Sequence, residues 1–411
     1  MPDQSSLQRP FLPAKPSPTL LWLVQNFLKL DLYLNNKVRI QPHDLRIMAG
    51  LPDNAGVILT PNHADEYDPR VCLDLSRRCG RRFIFMGNRE AFDEMRGFAG
   101  WGLQRIGVFS VERGAHDHSA KEYAIEVVKK GSSVFVIFPE GEVFYLNEMV
   151  QPFHSGAVDI GMQAIIEKRK THPEWTAYVL PMAIKYRYPM PMERILDERL
   201  QRMEQHLSQN MSSEELRQRA TNILSELLSK EEMAHNLEGE LEEDLGDRIK
   251  SVRHAILAEV ERRNKAIKAT QARTIDRAWQ LGAMLRNKAA QATSQDERIE
   301  AREDIEKLTE VAHLASMQPQ YWEDSTSTDR LAEVVLKLER ELYRIKRPAQ
   351  LARREVFVRI GTPIDLSVWL PEYSQNPHSV RHRLADQLRT TIQSHIDEIA
   401  VAQPDLTAPN I

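Results

Sequence analysis

The sequence predicts an α/β fold in which a central, mostly buried sheet is flanked by helices and interrupted by a large all-α helical insertion. Three observations carry this. Between Val38 and Arg187, short apolar runs alternate with stretches of helical periodicity, the pattern of a layered α/β domain. From about Arg194 to Arg347 the strand signal fades and long helical stripes take over. At Glu355-Val356-Phe357-Val358-Arg359-Ile360-Gly361 an alternating run brings the strand signal back, and a last helical stripe follows it.

Taken in order, residues 1–18 are rich in Pro and Ser and read as a flexible tail. They lack the cleavage-site pattern of a signal peptide. The run Leu20-Leu21-Trp22-Leu23-Val24-Gln25-Asn26-Phe27-Leu28 ends at Lys29 and Asp31, well short of the roughly 18–20 apolar residues that a spanning helix needs. It predicts a helix to about Leu34 with a broad apolar side, suited either to a membrane interface or to packing on its own domain. Strands are expected at Gly56–Leu59, Phe83–Met86, Gly107–Val111, Ser133–Phe138 and Tyr178–Ile184, with a helix at Ser119–Lys130. The α/β domain therefore spans 19–193. The insertion, 194–350, opens a helix with the capping box Ser212-Ser213-Glu214-Glu215. Apolar stripes follow at Leu216–Leu228, Leu245–Val260, Ile275–Leu285, Ala301–Ala312 and Leu331–Ile345. They predict four or five helices packed on one another or on the α/β domain. Residues 351–402 supply a final strand, the segment Thr362-Pro363-Ile364-Asp365-Leu366, and a helix carrying Leu384, Leu388, Ile392, Ile396 and Ile399. Two tandem domains are the alternative organisation.

Composition narrows the function classes. The chain has 411 residues, 42% of them apolar and 28% charged, with a net charge of −4. This balance argues against a dedicated nucleic-acid binder. Two cysteines, Cys72 and Cys79, make no disulfide framework and fit a reducing compartment. His116 and His118 form an isolated His-x-His without metal-ligand spacing, so no metal is expected. Within the insertion, the acidic stretch Glu231–Asp244 precedes a basic one, Gly246–Arg277. Such blocks form mutually paired, solvated helix faces, or a basic face for anionic lipid or an acidic carrier protein. The stripes Leu216–Leu228 and Leu331–Ile345 could also serve a homodimer interface.

Two boxes carry the chemistry. Asn62-His63-Ala64-Asp65-Glu66-Tyr67-Asp68-Pro69 follows the apolar run Val57-Ile58-Leu59. A neutral imidazole can take the proton of a hydroxyl as it attacks a carbonyl. A carboxylate on the other ring nitrogen fixes the tautomer and stabilises the imidazolium. The His-x4-Asp spacing places Asp68 beside His63 if a helix begins after the histidine, with Asp65 and Glu66 as rival carboxylates. The second box, Phe138-Pro139-Glu140-Gly141, follows another strand-like run. No Gly-x-Ser-x-Gly elbow is present, which suits a reaction whose substrate supplies the nucleophile.

These boxes, with two more, resemble the glycerolipid acyltransferases typified by 1-acylglycerol-3-phosphate acyltransferase. Asn62-His63 with Asp68 resembles the family's catalytic motif. Gly107-Val108-Phe109-Ser110-Val111-Glu112-Arg113 resembles its second motif, and Phe138-Pro139-Glu140-Gly141 its acceptor-binding third. Val179-Leu180-Pro181-Met182-Ala183-Ile184 resembles its fourth, associated with the acyl side. The closing strand Val358–Ile364 is similar as well. The resemblance implies a glycerol-phosphate-acyltransferase-like domain of phospholipid biosynthesis, peripheral on the cytoplasmic side of a membrane. It would move a fatty acyl group from an acyl-CoA or acyl-carrier-protein thioester to a lipid hydroxyl, with no further cofactor. His63 would be the base and Asp68 its orienter. Arg113, Glu140 and Gly141 would hold the acceptor and its phosphate, and Pro181 would lie on the acyl side.

The sequence also departs from the family. Relatives often continue the third motif with Thr-Arg or Ser-Arg, whose arginine is a second phosphate ligand; here Glu142 follows Gly141, and a carboxylate repels phosphate. Relatives often carry a lysine near Asn88-Arg89-Glu90, for which Arg89 would substitute. The resemblance implies a lysophosphatidic acid-like acceptor, whereas these departures point to another one: a lysophospholipid, a diacylglycerol or another lipid alcohol. A catalytically silent lipid-binding or scaffolding protein, using the insertion to recruit a partner, is the alternative that Glu142 and the insertion motivate.

Overall fold

A computed structural model of the chain describes residues 9–115, 117–208, 214–237, 244–265, 273–323 and 325–402. His116, Ser212 and Ser213 of the capping box, and parts of the acidic and basic stretches of the insertion lie outside the described residues.

Helix α1 (Pro18–Asn35) starts where Ser17 accepts a hydrogen bond from the Leu20 amide and Pro18 sets the first turn, as such termini require. Strand β1 (Asn36–Ile40) and α2 (Pro42–Ala49) lead to β2 (Gly56–Pro61), then α3 (Asp68–Cys79), β3 (Phe83–Asn88), α4 (Arg89–Asp93), α5 (Phe98–Ile106) and β4 (Val108–Val111). Next come α6 (His118–Lys130), β5 (Val134–Val136), α7 (Gly156–Lys168) and β6 (Ala177–Arg187). The insertion holds α8 (Glu193–His206), α9 (Leu216–Ala234), α10 (Leu245–Arg263), α11 (Thr274–Gln291), α12 (Gln295–Ala315), α13 (Gln320–Glu323) and α14 (Thr328–Tyr343). The chain then returns through β7 (Arg354–Ile360), β8 (Ile364–Asp365), α15 (Leu370–Gln375) and α16 (Pro377–Ala402).

The described strands form one sheet in the order β1-β7-β6-β2-β5-β3-β4, with β8 on the early half of β6. Strands β6, β2, β5, β3 and β4 run parallel to their neighbours, and only β7 and β8 pair antiparallel with β6. Because β2 is buried along its whole length, its residues alternate between two cores. Val57 and Leu59 pack with Val71 and Leu75 of α3, and Ile58 packs with α6, α7 and α16. That near-continuous burial explains why the strands read as apolar runs.

The parallel direction has a functional consequence. The C-terminal ends of β2, β3, β4 and β5 lie at one edge of the sheet, and the segments that leave them carry His63, Arg89, Arg113 and Glu140. Four boxes spread over some eighty residues of chain thus converge, as ligand sites do at the carboxyl edge of such sheets.

The expected flexible tail is corrected from Arg9 onward. Leu12 and Ser110 exchange hydrogen bonds, with the Leu12 amide donating to Ser110 Oγ at 2.8 Å and the Ser110 amide to the Leu12 carbonyl at 2.9 Å. Phe11 packs on Phe109 and Tyr123. The segment covers β4, an edge strand whose amide groups would otherwise lie open. Strand β1, at the opposite edge, is a further element the sequence reading did not include.

The insertion has its own core, in which Ile223, Leu224, Ile256, Leu285, Val311, Val335 and Leu338 meet. Phe144, Leu146 and Tyr188 of the α/β domain belong to that same core, so the two units share side chains.

Candidate active site

The site is built on the turn between β2 and α3. Asn62 anchors its start: its side chain accepts from the Ile184 amide at 2.7 Å and donates to the Ile184 carbonyl at 3.0 Å. This fixes the exit of β2 against β6. Pro69 occupies the first turn of α3, so the helix begins directly after the histidine box and Asp68 turns back toward it.

His63 Nδ1 and Asp68 Oδ2 are 2.9 Å apart. With the proton on Nδ1 the ring donates to the carboxylate, which leaves Nε2 as the basic nitrogen. Asp68 is fully buried and accepts two more hydrogen bonds, from the Asp65 amide at 2.9 Å and the Tyr186 hydroxyl at 2.6 Å. Burial pushes the Asp68 carboxyl above its ordinary value, against the downward pull of His63. Burial also drives the Tyr186 hydroxyl well up, so it remains a donor to Asp68. The rival carboxylates are engaged elsewhere. Asp65 pairs with Arg354 at 2.7 Å, and Glu66 with Arg347 at 2.6 Å and the Tyr145 hydroxyl at 3.1 Å. The far face of the imidazole stacks on Phe138 at 4.1 Å.

Glu140 grips the backbone of the box. Its Oε1 accepts from the His63 amide at 2.7 Å and its Oε2 from the Gln151 amide at 3.1 Å. Burial raises its carboxyl to about 7. Gly141 has φ +74°, and an added Cβ would meet the His154 ring at 3.1 Å. The left-handed backbone there needs glycine.

Arg113 is joined to the same turn. Its Nη1 donates to the Gly141 carbonyl at 3.1 Å and pairs with Glu142, while its guanidinium lies 5.2 Å above the Trp279 ring. Glu142, unexpected in this place, thus occupies the cation expected to meet phosphate. Arg89 pairs with Asp93. Pro181 is a buried member of β6 beside Thr60, and its carbonyl accepts from the Gly361 amide at 2.9 Å.

Several site residues escaped sequence reasoning. Tyr186 reads as an ordinary strand residue; its place at the end of β6, level with the exit of β2, gives it reach to Asp68. Trp279 and Arg286 come from α11 of the insertion. Gly114 marks where that helix lands, since a Cβ there would sit 2.2 Å from the Trp279 carbonyl oxygen. A cavity of about 170 Å³ is walled by Glu66, Arg113, Glu142, Tyr145, Trp279 and His313 among others. Across Tyr145 lies a second of about 360 Å³ that includes Tyr67, Tyr186 and Leu336. Among the described residues no group of three His, Cys, Asp or Glu side chains could hold a metal ion.

Residues 44–185 match the family model for Acyltransferase. Over 128 residues the chain is 28% identical to a 1-acyl-sn-glycerol-3-phosphate acyltransferase of Streptococcus pneumoniae; the match takes in 31% of this chain and 43% of that relative. The chain thus spans less than half the length of the curated relative it matches. The resemblance to the glycerolipid acyltransferases read from the boxes is borne out, and the dyad, Arg113 and Glu140 all lie inside the matched segment, a transferase domain.

Proposed function

We propose that this protein is a membrane-associated O-acyltransferase that moves a fatty acyl group from an acyl-CoA or acyl-carrier-protein thioester to the hydroxyl of a glycerolipid or related lipid alcohol. The observation that carries the proposal is the Asp68–His63 pair, held from behind by Tyr186 and through the backbone by Glu140. His63 Nε2 takes the hydroxyl proton as the acceptor oxygen adds to the thioester carbonyl. The tetrahedral intermediate then collapses, the C–S bond breaks, and the imidazolium returns the proton to the departing thiolate. Asp68 stabilises the imidazolium during both steps, and no acyl-enzyme is required.

Support for the membrane comes from α1, whose Trp22, Phe27, Leu30 and Leu34 are more than half exposed, and from Phe98 and Trp101 stacked beside it on α5. Contiguous exposed apolar side chains of this size mark an interaction surface. No described helix is long and apolar enough to cross a membrane. Contact from the cytoplasmic side suits the two free cysteines.

The test is transfer of labelled acyl groups from acyl-CoA or acyl carrier protein to a panel of lipid alcohols in vesicles. A folded His63→Ala variant should lose transfer; full activity in that variant removes His63 as the base. The silent-scaffold alternative draws on Glu142 and would require that no acceptor turns over.

A further inference from the structure

The wall around Arg113 is electrically balanced, and this bears on the acceptor. Four guanidinium groups each meet a carboxylate there, and two of them, Arg113 and Arg286, line the cavity. Arg113 pairs with Glu142 and Arg89 with Asp93. Arg9 reaches Glu112 at 2.5 Å and Asp93 at 2.7 Å. Arg286, brought in by α11, meets Glu90 at 2.8 Å and Glu112 at 2.9 Å. These pairs hold four cations and four anions in all, of which Arg113, Arg286, Glu90 and Glu142 line the cavity. The other cations on the adjoining cavity are paired as well, Lys346 with Glu94 at 2.5 Å and Arg340 with Glu341 at 2.6 Å.

A phosphate monoester carries close to two negative charges and binds where cations are in surplus. Here it would have to displace Glu142 from Arg113 and then lie beside the carboxylate it displaced. A lipid alcohol whose head is made of hydroxyls faces no such conflict, because a carboxylate accepts from hydroxyl groups and a tyrosine hydroxyl both accepts and donates. Glu142 and Tyr145 supply such groups on the cavity wall.

We propose that the acceptor is an uncharged lipid alcohol of the monoacylglycerol kind, without a phosphate monoester, and that Glu142 is the residue that sets this specificity by neutralising Arg113. The proposal rests on the acyltransferase reading for its turnover but not for its binding. Glu142 acts on selection and takes no part in proton transfer.

The experiment compares lysophosphatidic acid and monoacylglycerol of the same chain length, each in neutral detergent micelles, with the full-length protein. Binding is read without acyl donor by isothermal titration, and transfer by kcat/KM with acyl-CoA. Wild type should favour monoacylglycerol by roughly tenfold or more in both readouts, a scale that a mismatched buried charge readily produces. Glu142→Gln should shrink that ratio by about tenfold through improved binding of lysophosphatidic acid. Arg113→Gln alone leaves Glu142 without its cation and should raise the ratio further by repelling the phosphate, and in the Glu142→Gln background it should abolish the gain. A wild-type preference for lysophosphatidic acid, or a ratio that Glu142→Gln does not move, overturns the proposal. Binding selectivity with no transfer to either lipid would support the assignment of Glu142 while overturning the transferase reading.

Discussion

Replacing Asp68 with Asn separates the charge of this residue from its shape. The carboxylate accepts three hydrogen bonds, two at Oδ2 from His63 and the Asp65 amide and one at Oδ1 from Tyr186. An amide has one accepting oxygen. If the Asn oxygen faces His63 and Asp65, the ring keeps its tautomer, but the Asn NH2 then points at the Tyr186 hydroxyl and that buried proton loses its acceptor. If the amide is reversed, its NH2 meets the Asp65 N–H and forces His63 into the tautomer with the proton on Nε2. The first orientation is the less costly, at about 1–3 kcal/mol of stability for one unsatisfied buried donor. In either orientation the imidazolium loses its carboxylate, for which a drop of about 10³- to 10⁴-fold in kcat is expected. Removing the stranded hydroxyl distinguishes the two losses. Asp68→Asn with Tyr186→Phe should regain most of the stability and none of the rate. Denaturant unfolding and initial acyl-transfer rates on the same preparations measure both quantities. A folded Asp68→Asn protein within tenfold of wild-type kcat would refute the charge argument, and a double variant no more stable than the single one would refute the stated orientation.

Glu140 should make stability fall as pH rises. Its carboxyl stands at about 7 in the folded protein against an ordinary 4.5, so the folded state binds this proton more tightly than the unfolded state does. Stability is full below about 4.5 and declines through about 7, by roughly 3 kcal/mol; Glu140→Gln should flatten that slope, and unfolding free energies at pH 5 and pH 8 check it. Gly141→Ala should cost about 1–2 kcal/mol for its left-handed backbone, whereas Gly156→Ala, with open space at its Cβ, serves as a neutral control in thermal melts. Trp22→Ser with Phe27→Ser should weaken sedimentation with vesicles by about tenfold or more, since each removes a large exposed apolar side chain, and unchanged sedimentation would remove α1 from the membrane contact.

Much of the fold was legible because burial on both faces of a parallel sheet writes strands as apolar runs. The runs at Gly56–Leu59 and Phe83–Met86 fall within β2 and β3, and the stripes from Leu216 to Leu342 fall on helices of the insertion, with Ile345 just past the end of α14. Strand β1 was not legible. It lies at the sheet edge, and its residues Asn36-Lys37-Val38-Arg39-Ile40 alternate too briefly to be told from a loop. The docked tail was missed for a related reason: Pro- and Ser-rich composition signals poor intrinsic order, and the surface that residues 9–17 pair with, the open edge of β4 and the last turn of α5, exists only in the folded domain. At the site, the His63–Asp68 spacing could be read because a single turn closes it. Tyr186 could not, because 118 residues separate it from Asp68 and only the pairing of β6 with β2 brings it there.

Glu142 and the insertion are best understood together. As a sequence feature Glu142, with Val143 after it, stands where relatives often carry a Thr-Arg or Ser-Arg pair. In the folded protein the insertion brings Arg286 to a wall that already holds Arg9, Arg89 and Arg113, and lays Trp279 over the last of these. A further arginine after Gly141 would have added a fifth guanidinium to a partly buried surface, where like charges are poorly screened. A carboxylate there closes the balance. The same loop continues into Phe144 and Leu146, which are part of the insertion's core. The segment from Glu140 to Leu146 therefore holds the His63 backbone at one end and the helical insertion at the other, with Glu142 between them. Six residues of chain thus join the His63 turn to the insertion's core, and under the proposed function the insertion is part of the acceptor site.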